Sequence, residues 1–421
     1  MISGRIAAAS TVGTLLEYYD FAVYNSLAAL VFNVIFFPAH DPLTGVVLSL
    51  ATFAVGYLAR PLGSVVFGRL GDTRGRRFVL TSTLIVMGTT TVLIGLLPTY
   101  ASAGIGAPVA LVALRFVQGA ALGGEWAGAV LLSFEHSPTD ARGLNAAWAQ
   151  MGPALGTLLA TGFIATITYL LTPDDFQSWG WRIPFLVSVA VAGFGLWIRL
   201  RVKETPIFAA IQSRQITVRA PLGAVLRGYW RRLLLAGGSR IGPDVLYSLL
   251  AAFTLTYLTT VLHRSRAAAL VAVTIGGIVH ASTVCWCGGL SDRLGRRPVY
   301  AAGVACAIVW AFAYFRVLNS LQPVAIVLAV ASGFFIHALM YGPQAAFIVE
   351  QFPTRVRYAG ASLAYTWVGV IAGGPAPLIF AALWRSTRST LSLSLYLVAA
   401  LCLTAVALLL ARETAQRPLE D

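Results

Sequence analysis

An all-α membrane fold, with about twelve spanning helices in two pseudo-symmetric six-helix bundles, is what this sequence predicts. Three observations predict it: an apolar excess, the placement of the basic residues, and an internal repeat. Of the 421 residues, 58% are hydrophobic and 11% charged, with a mean hydropathy of +0.78. Soluble domains carry about 25% charged residues, so this chain has too little polar surface to cover a soluble core. Lipid tolerates only helices or closed barrels across its core. A barrel would read as short alternating segments, and these apolar runs are long and uniform.

A helix needs roughly 20 apolar residues to cross a ~30 Å hydrocarbon layer. Spans are expected at 10–36, 43–70, 78–98, 107–134, 143–172 and 181–200. A second set follows at 231–262, 267–287, 298–316, 322–350, 355–384 and 390–411. The polar stretch around 201–230, with Lys203, Glu204, Arg214 and Arg219, separates them. The expected domains are therefore 1–200, a central loop at 201–230, and 231–421.

The formal charge of +14 raises the question of nucleic acid. Its distribution answers otherwise. Arginines crowd every second connection, as at Arg74, Arg76 and Arg77, at Arg199, Arg201, Arg231 and Arg232, and at Arg293, Arg296 and Arg297. The connections at 37–42, 99–106 and 173–180 hold no Lys or Arg. This positive-inside pattern puts both termini and the central loop in the cytoplasm of a multi-pass cell-membrane protein. Cys285, Cys287, Cys306 and Cys402 lie within or beside spans, which fits neither a disulfide framework nor a metal site. Glu17 and Asp20 inside the first span exclude a cleavable signal peptide there.

The two sets of spans repeat each other. Gly68-Arg-Leu-Gly-Asp72-Thr-Arg-Gly75-Arg76-Arg77 recurs as Gly288-Gly-Leu-Ser-Asp292-Arg-Leu-Gly295-Arg296-Arg297. Glu135-His-Ser-Pro138-Thr139-Asp-Ala-Arg142 recurs as Glu350-Gln-Phe-Pro353-Thr354-Arg-Val-Arg357. Two landmarks at matching places indicate a duplicated unit, with a substrate path between the copies.

The G-x-L-x-D-x-x-G-R-R loop resembles the signature of the major facilitator superfamily. Further residues resemble its metabolite:proton symporter family over nearly the whole chain. They are Leu16-Glu17-Tyr18-Tyr19-Asp20-Phe21, Arg60-Pro61-Leu62-Gly63, Arg115-Phe-Val-Gln118-Gly119 and Gly123-Gly124-Glu125-Trp126. Trp179-Gly180-Trp181-Arg182-Ile183-Pro184-Phe185, Glu204-Thr205-Pro206 and Tyr358-Ala-Gly360 complete the set. The stretch Ala29-Leu30-Val31-Phe32-Asn33 with Phe36-Phe37-Pro38 is most similar to the shikimate-transporter branch. The resemblance implies a monomeric, cofactor-free symporter that imports a small organic acid with protons by alternating access. Efflux antiport remains an alternative, because Gly152-Pro153-Ala-Leu-Gly156 partly resembles an antiporter motif. Zwitterions such as proline or betaine are an alternative substrate class within the family. An enzyme is not expected: no H-E-x-x-H pair, G-x-S-x-G elbow or phosphate-binding loop occurs.

Ionisable groups inside a bilayer are costly and mark pathways or internal pairs. Glu17 and Asp20, three apart, share a helix face. At ~1.5 Å per residue, Asp20 lies about 15 Å from one surface and Arg115 about 12 Å from the other, near one depth. An acid facing an arginine in a closable cavity can carry a proton, and the resemblance supports that role for Asp20 or Glu17 with Arg115. A permanent structural ion pair is the alternative. Candidate substrate contacts are Arg115, Glu125, Trp148 and Gln150 in the first half. In the second they are Arg240, Asp244, Tyr247, Tyr341, Gln344 and Tyr365. A guanidinium matches a carboxylate in two-pronged fashion, which motivates Arg115 and Arg240 as substrate groups. His280 and His337 are lone intramembrane histidines with a weaker claim. The repeated loops suggest a gate: Asp72, Gly75, Arg76, Glu135 and Arg142 with Asp292, Gly295, Arg296, Glu350 and Arg357. There a carboxylate would cap a neighbouring helix.

Overall fold

The computed structural model describes residues 4–27, 31–38, 42–201 and 221–417. Their architecture is all helical. The first half contains α1 (Gly4–Leu27), α2 (Pro42–Thr73), α3 (Arg76–Leu96), α4 (Gly106–Glu135), α5 (Arg142–Leu170) and α6 (Ile183–Leu200). The second contains α7 (Trp230–Val261), α8 (Arg266–Leu294), α9 (Arg296–Asn319), α10 (Pro323–Glu350), α11 (Thr354–Thr387) and α12 (Thr390–Leu410). Among the described residues ten segments, matching α3 to α12, are long and apolar enough to cross a membrane, and the described parts of α1 and α2 run 24 and 32 residues. The 21 residues of α3 or α12 reach about 31 Å, one hydrocarbon thickness.

Boundaries depart from the expected spans where helix propensity outruns hydropathy. The first helix is already formed at Gly4, ahead of the expected start at residue 10, because its alanine-rich stretch extends it past the apolar core. Its described part runs to Leu27, and residues 33–35 are helical as well. The expected central loop contains a helix of its own, Pro221–Gly228. Two spans are not uniform helices. The α7 segment carries π-turns at Leu249–Phe253 and Tyr257–Val261, and α11 carries one at Gly369–Gly373.

Large apolar side chains lie on the outside, and several ionisable groups are buried within the apolar interior. Val309, Leu328 and Leu403 are more than half exposed, whereas Glu17, Arg115, Gln118 and Glu125 are buried. Glycines bring α2 and α4 into backbone contact: a Cβ at Gly119 or Gly123 would collide with the carbonyl oxygen of Gly56 or Arg60. Close crossing through small residues is how spanning helices pack without a hydrophobic drive. In both repeated loops a glycine adopts positive φ, 104° at Gly75 and 100° at Gly295. Only glycine takes that conformation without strain, so the repeat preserves a backbone shape.

The halves meet through α2 against α11, and through α5 against α8 and α10. One apolar core is shared across the halves at the end bearing the arginine-rich loops, where Trp126 and Phe134 join Tyr358 and Tyr365. A second cluster, with Tyr24, Phe32, Trp181 and Phe185, belongs to the first half alone. The basic end is thus the joined end.

Candidate functional site

Asp20 of α1 ends a hydrogen-bonded chain through three helices. Thr91 Oγ1 of α3 donates to Asp20 Oδ2 at 2.7 Å, and Gln118 Nε2 of α4 donates to Thr91 Oγ1 at 2.7 Å. Arg115 Nη1 donates to Gln118 Oε1 at 2.5 Å. The acid and the guanidinium therefore communicate through a hydroxyl and an amide. The Arg115 guanidinium also lies 4.0 Å from the Tyr24 ring centre and 5.1 Å from that of Phe21. Glu17, one turn away, is buried with Oε2 lacking a hydrogen-bond partner among the described residues. Arg60 of α2 stacks over Tyr57 and Phe21 at 4.3 and 5.0 Å.

Where the halves face each other, Tyr365 of α11 is the hub. Its ring stacks on Trp126 at 3.9 Å and 13°, and the Arg240 guanidinium covers it at 3.2 Å. Arg240 also donates to the Tyr365 carbonyl and pairs through Nε with Asp244 Oδ1 at 3.0 Å. The Tyr18 and Tyr365 hydroxyls are 3.4 Å apart across the halves. Gln150 links the halves too: it accepts from Trp126 Nε1 at 2.8 Å and donates to the Tyr341 carbonyl at 3.2 Å. Asp244 and Tyr247 are half-buried here, while Trp148, also half-buried, accepts at its carbonyl from Thr11 Oγ1 at 2.9 Å.

Two proposed contacts sit elsewhere. Glu125 forms a buried ion pair with Arg199 of α6, and Thr83 donates to its second oxygen. Its partner comes from what reads in sequence as a loop-edge arginine, 2% exposed in the fold. Gln344 turns toward α9, donating to Tyr300 Oη at 2.7 Å.

The gate residues interlock across the halves. Asp72 accepts the N–H groups of Tyr358 at 3.2 Å and Ala359 at 3.0 Å, capping the start of α11. Asp292 accepts those of Gly143 at 2.7 Å and Leu144 at 2.8 Å, capping α5. Each carboxylate is thus the cap of a helix in the other half, favoured by the helix dipole. Arg76 lies 3.6 Å from Asp72 and 3.2 Å from Glu135, and Arg296 lies 2.6 Å from Asp292 and 3.1 Å from Glu350. Glu135 further meets Arg357 of the second half at 3.8 Å. The symmetry breaks at Arg142, which donates to the Arg417 carbonyl at 3.2 Å. An amide cannot accept as strongly at both oxygen positions, so Asp72→Asn or Asp292→Asn should weaken this closure. The expected result is slower transport turnover with substrate affinity from the opposite side within about threefold, a loss of under 1 kcal/mol in binding. Unchanged turnover would leave these residues only a topological role.

Sequence reasoning overlooked Glu413. Its carboxylate accepts four backbone N–H groups: Arg296 at 3.1 Å, Arg297 at 2.8 Å, and Thr414 and Ala415 at 2.9 Å each. Thr414 Oγ1 donates to Glu350 at 2.6 Å. The signal was available, since Glu413-Thr414 repeats the Glu204-Thr205 that follows α6; Glu204 itself lies outside the described residues. Burial raises the Glu413 pKa, but the four donors outweigh it and hold it below the ordinary 4.5. A depressed pKa stabilises the docked tail above the unfolded value and loses that stabilisation as pH falls through the folded one. Glu413→Ala at neutral pH should therefore speed tryptic cleavage after Arg412, which limited proteolysis can read.

A groove of about 680 Å³ at the basic end, lined by Trp230, Arg231, Arg412 and Glu350 among others, lies away from this polar centre. Its acid is already engaged by Arg296. Polar groups from both halves converge instead at the interface centre, through Tyr18, Tyr365, Gln150 and the Tyr341 carbonyl.

Twelve long helices in two facing halves, polar along their shared interior, define a membrane carrier. The sequence profile of the sugar (and other) transporter family matches residues 6–229 and 219–421. The chain is 37% identical to the inner membrane metabolite transport protein YhjE of Escherichia coli K12, covering 99% of this chain and 95% of that one. It is 36% identical to the shikimate transporter of the same organism, covering 97% and 94%. With the proline/betaine transporter, also from that organism, identity is 32% over 99% and 85%. The fold matches the proton:xylose symporter XylE bound to 6-bromo-6-deoxy-D-glucose with a TM-score of 0.82, at 17% identity and covering 99% and 97%. The inward open XylE from E. coli matches at 0.66, with 18% identity over 97% and 96%. This chain belongs to the sugar (and other) transporter family of the major facilitator superfamily.

Proposed function

We propose that this transporter is a proton-coupled symporter of the inner membrane that imports a small organic acid by alternating access. The basic end faces the cytoplasm, following the positive-inside distribution of its arginines. The observation that carries the coupling is the chain Asp20–Thr91–Gln118–Arg115, which gives a buried carboxylate a relay to a cation on another helix. The relay lies within the first half, so rocking of the halves would leave it joined while exposing Asp20 to one side and then the other, changing its hydration and so its affinity for its proton. Arg240, stacked on Tyr365 at the interface, is the group offered to a substrate carboxylate. The likeness to the shikimate transporter agrees with this class.

A second reading, a zwitterion substrate, is favoured by one observation. Asp244 stands beside Arg240, so both signs of charge are present together, and the proline/betaine transporter is among the relatives. Efflux antiport has no comparable support. Proteoliposomes with an imposed inward proton gradient test the proposal: uphill accumulation of a carboxylate supports it. Accumulation only under an outward gradient would reverse the direction, and a best thermal-shift ligand that is a cation or neutral sugar would end the organic-acid reading.

A further inference from the structure

His280 of α8 and His337 of α10 form one hydrogen-bonded pair, His337 Nδ1 to His280 Nε2 at 2.8 Å. Both rings are buried, at 0% and 1% exposure. They pack against Tyr247 of α7 and Tyr341 of α10, with His337 5.4 Å from the Tyr247 ring and His280 5.6 Å from the Tyr341 ring. The pair thus sits behind the aromatic wall that adjoins Arg240 and Asp244.

Either ring can be the donor in this contact, since each neutral imidazole has one N–H and one bare nitrogen. In either tautomer His280 Nδ1 is left over, and it is buried without a hydrogen-bond partner among the described residues. A buried polar nitrogen without a partner is destabilising, and a ligand hydroxyl, which both donates and accepts, would relieve it. The π-turn that begins at Leu249, two residues after Tyr247, marks a place where α7 departs from regular helix, as such turns do at functional sites.

We infer that His280 Nδ1 hydrogen-bonds a hydroxyl of the substrate in the occluded state, with His337 holding the ring in place, so that the transporter selects a hydroxylated carboxylate. The inference rests on the organic-acid reading above: Arg240 takes the carboxylate and His280 reads a hydroxyl. Betaine, whose only hydrogen-bonding group is the carboxylate that Arg240 takes, has no hydroxyl for His280. His337 is a positioning residue, acting through its hold on the neighbouring ring.

Thermal-shift titration of the purified full chain tests this with shikimate, cyclohexanecarboxylate and betaine as probes. Shikimate should bind at least about tenfold more tightly than cyclohexanecarboxylate, the ratio expected when a buried ring nitrogen is left unpaired. His280→Phe should reduce that ratio to within about threefold while leaving cyclohexanecarboxylate binding in place. His280→Gln, which keeps an acceptor, should retain part of the preference. Equal binding of the two acids to the wild type would overturn the hydroxyl reading and leave the organic-acid reading standing. Binding of neither acid would overturn both. A preference that survives intact in His280→Phe would place the hydroxyl contact elsewhere, and the wild-type comparison decides the matter even where a variant fails to fold.

Discussion

Asp20→Asn is expected to abolish uphill substrate accumulation driven by an inward proton gradient while leaving measurable counterflow in proteoliposomes. Asparagine keeps an oxygen for the Thr91 hydroxyl, so the α1–α3 contact survives. What it loses is the ability to bind and release a proton. A carrier locked in the uncharged form can still reorient with substrate, and it exchanges label across the membrane without regard to pH. Thr91→Val and Gln118→Leu should behave differently. They cut the relay to Arg115 without removing the titrating group, so the pH dependence of uptake should shift and accumulation should persist. Wild-type accumulation in Asp20→Asn would move the carrier to Glu17, whose unpartnered Oε2 is the next strongest feature. Glu125 would follow only if its pairing with Arg199 opens during the cycle.

The helices and the duplication were legible because lipid imposes a strong, local rule: long apolar runs and basic ends. The two Asp-capped loops were legible because each repeat carries the same glycine at positive φ and the same acid. What sequence could not supply was pairing between distant helices. Nothing in the spacing places Thr91 and Gln118 between Asp20 and Arg115, because both are ordinary polar residues inside apolar runs. Arg199 read as one of many basic residues near a membrane surface, yet the fold carries its side chain inward to Glu125. The histidines looked solitary because 57 residues separate them, and only the packing of α8 on α10 joins them. Gln344 read as facing the substrate path because it continues the His337 and Tyr341 stripe. The crossing of α10 with α9 turns it to Tyr300 instead.

Arg199→Met is expected to produce the largest loss of stability among single substitutions in the first half, about 3–5 kcal/mol. Glu125 is 1% exposed, and Arg199 contributes hydrogen bonds both to it and to the Leu80 carbonyl. Removing the cation leaves a carboxylate in an apolar interior with only Thr83 to solvate it. Glu125→Leu alone should cost a similar amount, because the guanidinium is then the uncompensated charge. The double variant Glu125→Leu with Arg199→Met should recover much of that loss, since well-packed apolar pairs often match a buried ion pair. Thermal unfolding of the four proteins in one detergent, completed as a double-mutant cycle, measures the coupling. Were Arg199→Met to melt with the wild type, the Glu125–Arg199 pair would contribute nothing to stability, and the prediction would fail.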